Sequence, residues 1–154
     1  LFDERVRRAL DLGCGYAQNA LWIASQGYRT DAIDISRVAL AAAQARATRE
    51  GIRDINLLPL DLDNAELQPA YYDVVVAFRF VKRGLMPALR ASVRPGGRII
   101  YQNPNTRYLN TDPDYDPEQL FRVGELVGYF ADWNIRHRSN INGVSQLVAD
   151  KPLT

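Results

Sequence analysis

The stretch "LDLGCGYAQNA", Leu10 to Ala20, decides how the rest of the chain is read. An apolar run ends in an acid and two glycines, and a helix-like run follows; this is a strand, a tight turn and a helix. Glycine at positions 13 and 15 lets the backbone turn sharply and lets a ligand approach the main chain. A dinucleotide-binding turn carries a third glycine and seats a pyrophosphate on the helix N-terminus. Gln18 stands at that third position. Asp11, two residues ahead of Gly13, places a negative charge where a pyrophosphate would sit. That charge repels a dinucleotide and suits a ligand with an ammonium group. Cys14 lies between the glycines near a helix start, but no base accompanies it.

Outward from this turn, strand-like and helix-like runs alternate. Strands are expected at Val6 to Leu12, Arg29 to Ile35, Ile55 to Leu60, Tyr72 to Phe78 and Arg98 to Asn103. The β-branched run in "YDVVVAF" reads as a strand buried on both faces. Between them, "QNALWIASQG" reads as a helix stopped by Gly27, and "RVALAAAQARATRE" as a helix capped by Ser36 and ended by Gly51. "LMPALRASV" is a helix ended by "RPGG", with Arg90 and Arg94 one turn apart on its surface. A long polar loop follows, then the short helix "VGELVGYFADW". Long loops in compact domains are often functional. "NIRHRS" and "SQLVAD" form two last strands across a tight turn at "NING", with His137 as an ordinary sheet residue. The expected fold is α/β: a Rossmann-like, doubly wound, mostly parallel seven-stranded sheet with a C-terminal antiparallel hairpin strand.

The 154 residues suit a single domain. A net charge of +1 gives no pull toward nucleic acid or anionic lipid. No apolar run approaches the roughly 20 residues of a membrane helix. One cysteine excludes an internal disulfide and points to a reducing, cytoplasmic compartment. The first residue is Leu1 and little precedes the first strand, so part of an N-terminal cap segment is expected to be missing.

In doubly wound sheets, ligands bind at the carboxyl ends of the strands, at the switch point. Asp34 ends the second strand, nineteen residues after Gly15, where an acid binds both ribose hydroxyls. Asp61 ends the third and can accept from an exocyclic adenine amine, with the Leu62 N–H beside it for a ring nitrogen. An ammonium, a ribose and an adenine follow in that order. S-adenosylmethionine (SAM) has all three and no phosphate.

The set "ALDLGCG", "AIDIS", "LPLDL", "YDVVVAF" and "VRPGGRIIY" resembles the class I SAM-dependent methyltransferases over nearly the whole chain. Within that class, "QNALWIASQGYRTDAIDIS", "LMPALRASVRPGGRIIYQ" and "FRVGELVGYFADWNI" are most similar to the tellurite-resistance-type small-molecule group. Gln18 departs from the arginine usual in that group. The resemblance implies cofactor contacts from Asp11, Gly13, Cys14, Gly15, Asn19, Asp34, Ile35, Ser36, Asp61, Leu62 and Phe78. It implies methyl transfer to a small-molecule acceptor, anionic or thiol/chalcogen, with no metal. On the acceptor side Arg79, Arg83 and Arg107 are candidates to attract an anion. No general base stands out, and oligomeric state is open. Two other readings stay open at this point: a SAM-binding regulatory or scaffolding domain without turnover, and a nicotinamide-dependent oxidoreductase.

Overall fold

The computed structural model describes residues 5–63 and 66–154. Its strands are β1 (Arg8–Leu12), β2 (Arg29–Asp34), β3 (Ile55–Pro59), β4 (Tyr72–Phe78), β5 (Val93–Pro104), β6 (Asn134–Ser139) and β7 (Val144–Asp150). They form one sheet in the order β3-β2-β1-β4-β5-β7-β6. β7 runs antiparallel to both β5 and β6, and the remaining pairs are parallel. The winding reverses between β1 and β4, so the crevice above their carboxyl ends is the switch point.

The helices are α1 (Gln18–Ser25), α2 (Arg37–Glu50), α3 (Met86–Ser92) and α4 (Glu125–Tyr129). α2 follows from local sequence. The Ser36 hydroxyl accepts from the Ala39 N–H at 3.2 Å, and Gly51 closes the helix in the left-handed region. Its buried face is Ala39, Leu40, Ala43 and Ala47, small enough to let the helix lie close to the sheet. α1 is capped differently. Ala17 at its N-cap is left-handed and offers no side-chain acceptor. The Asp11 carboxylate at the end of β1 accepts from the Ala20 N–H instead, at 3.2 Å. The first helix is thereby tied to the first strand by a buried acid.

α1 and α2 bury an alanine-rich layer that includes Ala20, Leu21, Ala32 and Ala43. The larger core lies on the opposite face, where Leu10, Leu12, Val75, Ile99, Tyr101 and Leu147 meet Leu89, Phe121, Leu126, Phe130 and Trp133. Beyond α1, the first face is only partly covered. Val74, Phe78 and Ile100 are half-buried there and line an apolar trough of about 530 Å³ beside Trp22 and Ile23. β4 is therefore not buried on both faces, since Val74 and Phe78 stay half-buried on this one.

Two further expectations change, and two others gain detail. "RPGG" does not end a helix in open loop; it forms a bulge inside β5, between the Val93–Tyr72 pair and the Arg98–Val74 pair. A Cβ on Gly97 would sit 2.8 Å from a Val93 methyl and 2.9 Å from two backbone oxygens. Arg90 and Arg94 are not superficial. Arg90 grips Asp132 with two nitrogens and lies over the Phe130 and Trp133 rings, while Arg94, in β5, donates to the Tyr71 carbonyl. The "NING" turn is a 3₁₀ turn over Ile141–Gly143 with Asn142 left-handed. The long loop is anchored. Asn103 and Asn105 are buried and hydrogen-bonded to Gln119 and Ser145, and the loop delivers Leu120 and Phe121 to the core. Among the described residues, no helix is long and apolar enough to cross a membrane.

Candidate cofactor site

Between β1 and α1, three residues adopt left-handed backbone: Gly13 (φ 64°), Gly15 (φ 55°) and Ala17 (φ 60°). The turn is held to β2 at two points. Cys14 N–H donates to the Ile33 carbonyl at 3.0 Å, and Gly15 N–H donates to Asp34 Oδ2 at 2.8 Å. The other Asp34 oxygen accepts from Ser36 N–H at 2.8 Å. Asp34 is thus clamped between the glycine turn and the start of α2. A carboxylate has about four lone-pair sites, so each oxygen keeps capacity for a further donor, as a vicinal diol requires.

Asp11 is 3% exposed. Burial pushes its pKa up to about 7; the Ala20 N–H opposes this and the Asp34 charge adds to it. The carboxylate wants a cation. Burial, reinforced by Asp11 and Asp34, pushes the Cys14 thiol up to about 12. It stays protonated at neutral pH and is no nucleophile.

Two cavities meet at Gly13. The first, about 320 Å³, is lined by Asp11, Gly13, Cys14, Gly15, Tyr16, Gln18, Asn19, Phe78, Arg79 and Gln102. The second, about 200 Å³, is lined by Gly13, Asp34, Ile35, Leu60, Asp61, Leu62, Phe80 and Lys82. Gly13 is held close to Phe80: a Cβ there would lie 3.3 Å from its ring. Around Gly15 a Cβ would meet nothing within 4 Å, so the backbone edge faces open space. Asp61 holds its own turn by accepting from Asp63 N–H at 2.9 Å.

Ten of the eleven expected cofactor residues line these cavities, and Ser36 joins through its bond to Asp34. The three candidate arginines separate. Arg79 lines the first cavity. Arg83 faces away: it makes two bonds to Glu125, at 2.7 and 3.0 Å, one to the Leu120 carbonyl, and lies over the Phe121 ring. That pairing holds Glu125 down at about 2. Arg107 sits in the 3₁₀ turn Thr106–Asn110 and lines neither cavity. Sequence reading passes over Phe80 and Gln102 as ligand neighbours. Gln102 was findable, because it pairs with Phe78, the last residue of β4. Lys82 reaches the second cavity and pairs with Asp63. The large trough shares Asn19 and Phe78 with the first cavity but has no carboxylate in its lining.

A β-α crevice with an acid at each of three strand ends and no third glycine defines a class, and comparison with known proteins agrees. The family described as "Methyltransferase domain" matches residues 9–97, more than half of the chain. The chain belongs to that family. It is 33% identical over 141 residues to "Hemagglutinin 1" of Eikenella corrodens, covering 83% of this chain and 44% of that protein. It is 26% identical over 131 residues to "Probable S-adenosyl-L-methionine-dependent methyltransferase TehB" of Haemophilus influenzae, covering 82% of this chain and 46% of that protein. The crystal structure of TehB from Haemophilus influenzae superposes with a TM-score of 0.80 at 20% identity, over 96% of this chain and 58% of that one. The chain spans less than half the length of the two curated relatives just named.

Proposed function

We propose that this chain binds SAM across the two cavities and transfers its methyl group to a small-molecule acceptor. The observation that carries the reading is the placement of Asp11 and Asp34 on either side of Gly13. The ammonium end fits beside Asp11, the ribose on Asp34, and the adenine against Ile35, Asp61 and Leu62. The chemistry that SAM supplies is an electrophilic methyl on a sulfonium. The chain's own part is to hold that methyl in line with the acceptor, and such positioning lowers the barrier by several kcal/mol.

The acceptor in this proposal brings its own nucleophile, as a thiolate, a chalcogen anion or an oxyanion. Among the described residues lining the two cavities there is no histidine, and Cys14 holds its proton. A neutral alcohol or amine would need a base. Names of relatives support the cofactor: TehB is described as SAM-dependent.

The test is in two stages. Titration with SAM and with NAD is expected to give micromolar binding of SAM and none of NAD; the reverse overturns the reading. Labelled SAM is then incubated with panels of thiols, oxyanions, phenols and amines. Label is expected in the first two panels. SAM binding with no methylated product in any panel would leave a binding domain without turnover.

A further inference from the structure

We infer that Arg79 is the anchor for the α-carboxylate of the cofactor, so that Arg79 and Asp11 together make the first cavity a receptor for a zwitterionic amino-acid end. The inference rests on the SAM reading above and assigns the cation of that site.

The backbone comes first. Arg79 follows the last residue of β4 and adopts φ 55°. A non-glycine residue in the left-handed region costs on the order of 1–3 kcal/mol and persists where surrounding structure enforces it. The enforcing bond is visible: Arg79 N–H donates to the Gln102 carbonyl at 2.9 Å, pinning the turn to the end of β5. The turn leaves Arg79 on the wall of the first cavity.

The partners come next. Arg83, Arg90 and Arg98 are each hydrogen-bonded to a carboxylate, Glu125, Asp132 and Asp150 respectively. The Arg79 guanidinium makes no hydrogen bond, ion pair or ring contact among the described residues. It is the cation of its cavity, Asp11 is the anion, and Gln18, Asn19 and Gln102 supply neutral amides. Asp11 already accepts from Ala20 N–H and lies at the buried end, whereas Arg79 is exposed.

A ligand matching this lining has one cationic and one anionic group at the same end, with the rest of the molecule passing Gly13 toward Asp34. That is the layout of an α-amino acid joined through sulfur to a nucleoside. The planar guanidinium fork matches a carboxylate with two parallel hydrogen bonds. Gln18, at the start of α1, supplies no charge for this purpose.

The experiment compares three ligands with wild type, Arg79→Asn and Arg79→Lys. Asparagine is chosen because it tolerates left-handed backbone while removing the charge. The ligands are SAM, decarboxylated SAM and 5′-methylthioadenosine, which lacks the amino-acid end. Arg79→Asn is expected to weaken SAM by about ten- to a hundredfold, as loss of a charged hydrogen bond does. Binding of decarboxylated SAM and methylthioadenosine stays within about twofold, and Arg79→Lys recovers part of the SAM affinity. A parallel fall for all three ligands assigns Arg79 to the turn alone and overturns the inference. Unchanged SAM affinity with a raised KM for the acceptor assigns it to the acceptor and also overturns it. A wild-type chain that binds none of the three overturns the SAM reading itself.

Discussion

Asp11 does two things that pull against each other. It satisfies an N–H at the start of α1, and it sits in surroundings that resist its charge. Its pKa of about 7 in the free protein stands above the ordinary 3.8. The folded chain therefore holds a proton that the unfolded chain has released, and this group's contribution to stability falls as pH rises from about 4 to about 7. A ligand ammonium reverses the preference, because it favours the ionised carboxylate. SAM binding below pH 7 should release a proton, and affinity should climb with pH, up to about tenfold per unit, before levelling near 7. Calorimetry at pH 6 in buffers of different ionisation heat checks this; proton uptake would contradict it. Asp11→Asn should flatten the slope and weaken SAM. Asp34→Ala should cost on the order of 2 kcal/mol of SAM affinity, since it removes the ribose acceptor and the bonds to Gly15 and Ser36. Undiminished binding would mean the ribose lies elsewhere. The places of these acids are legible in the sequence, because each lies within a residue of a strand end beside a turn. The fate of Arg83 is not. Its partner Glu125 lies 42 residues away, and only the folded chain brings α4 to the turn after β4.

At the level of elements, what was legible tracks how local the cause is. α2 runs from Arg37 to Glu50 because its cap residue, its alanine face and its closing glycine all lie within the segment. β4 keeps its expected bounds for the same reason. At the junction of α3 and β5 the sequence misleads, because "RPGG" carries a loop signal and the bulge exists only against Asp73 of the neighbouring strand. The depth of the long loop was likewise hidden, since Asn105 meets Ser145 across 40 residues. The bulge makes its own prediction. Gly97→Ala forces a methyl to within 2.9 Å of the Arg94 and Asp73 carbonyls, and fixed backbone atoms cannot turn aside. Overpacking of this kind costs about 1–3 kcal/mol. Thermal unfolding should drop by several degrees while SAM affinity, set at the other end of the strands, changes little. An unaltered melting temperature would show that the bulge opens without cost.

Across the whole molecule, the two cavities are lined by the carboxyl ends of β1 through β5, the start of α1 and the loop before α2. A ligand lying across Gly13 would therefore join the alanine-layered half of the sheet to the half backed by α3 and α4. If the domain unfolds as one unit, such a ligand stabilises all of it by mass action, by about 2.7 kcal/mol at a concentration one hundred times its Kd. For a chain of 154 residues that amounts to a rise in melting temperature of about 5–10 °C. SAM is expected to give this rise as one sharp transition, and methylthioadenosine a smaller one at the same concentration because it leaves Asp11 and Arg79 unpaired. NAD is expected to give none, because its pyrophosphate would meet the Asp11 end of the turn. A rise with NAD that matches SAM would overturn the assignment of the crevice. Two transitions, with only the first moving, would show that the sheet halves unfold separately and that the cofactor does not bridge them.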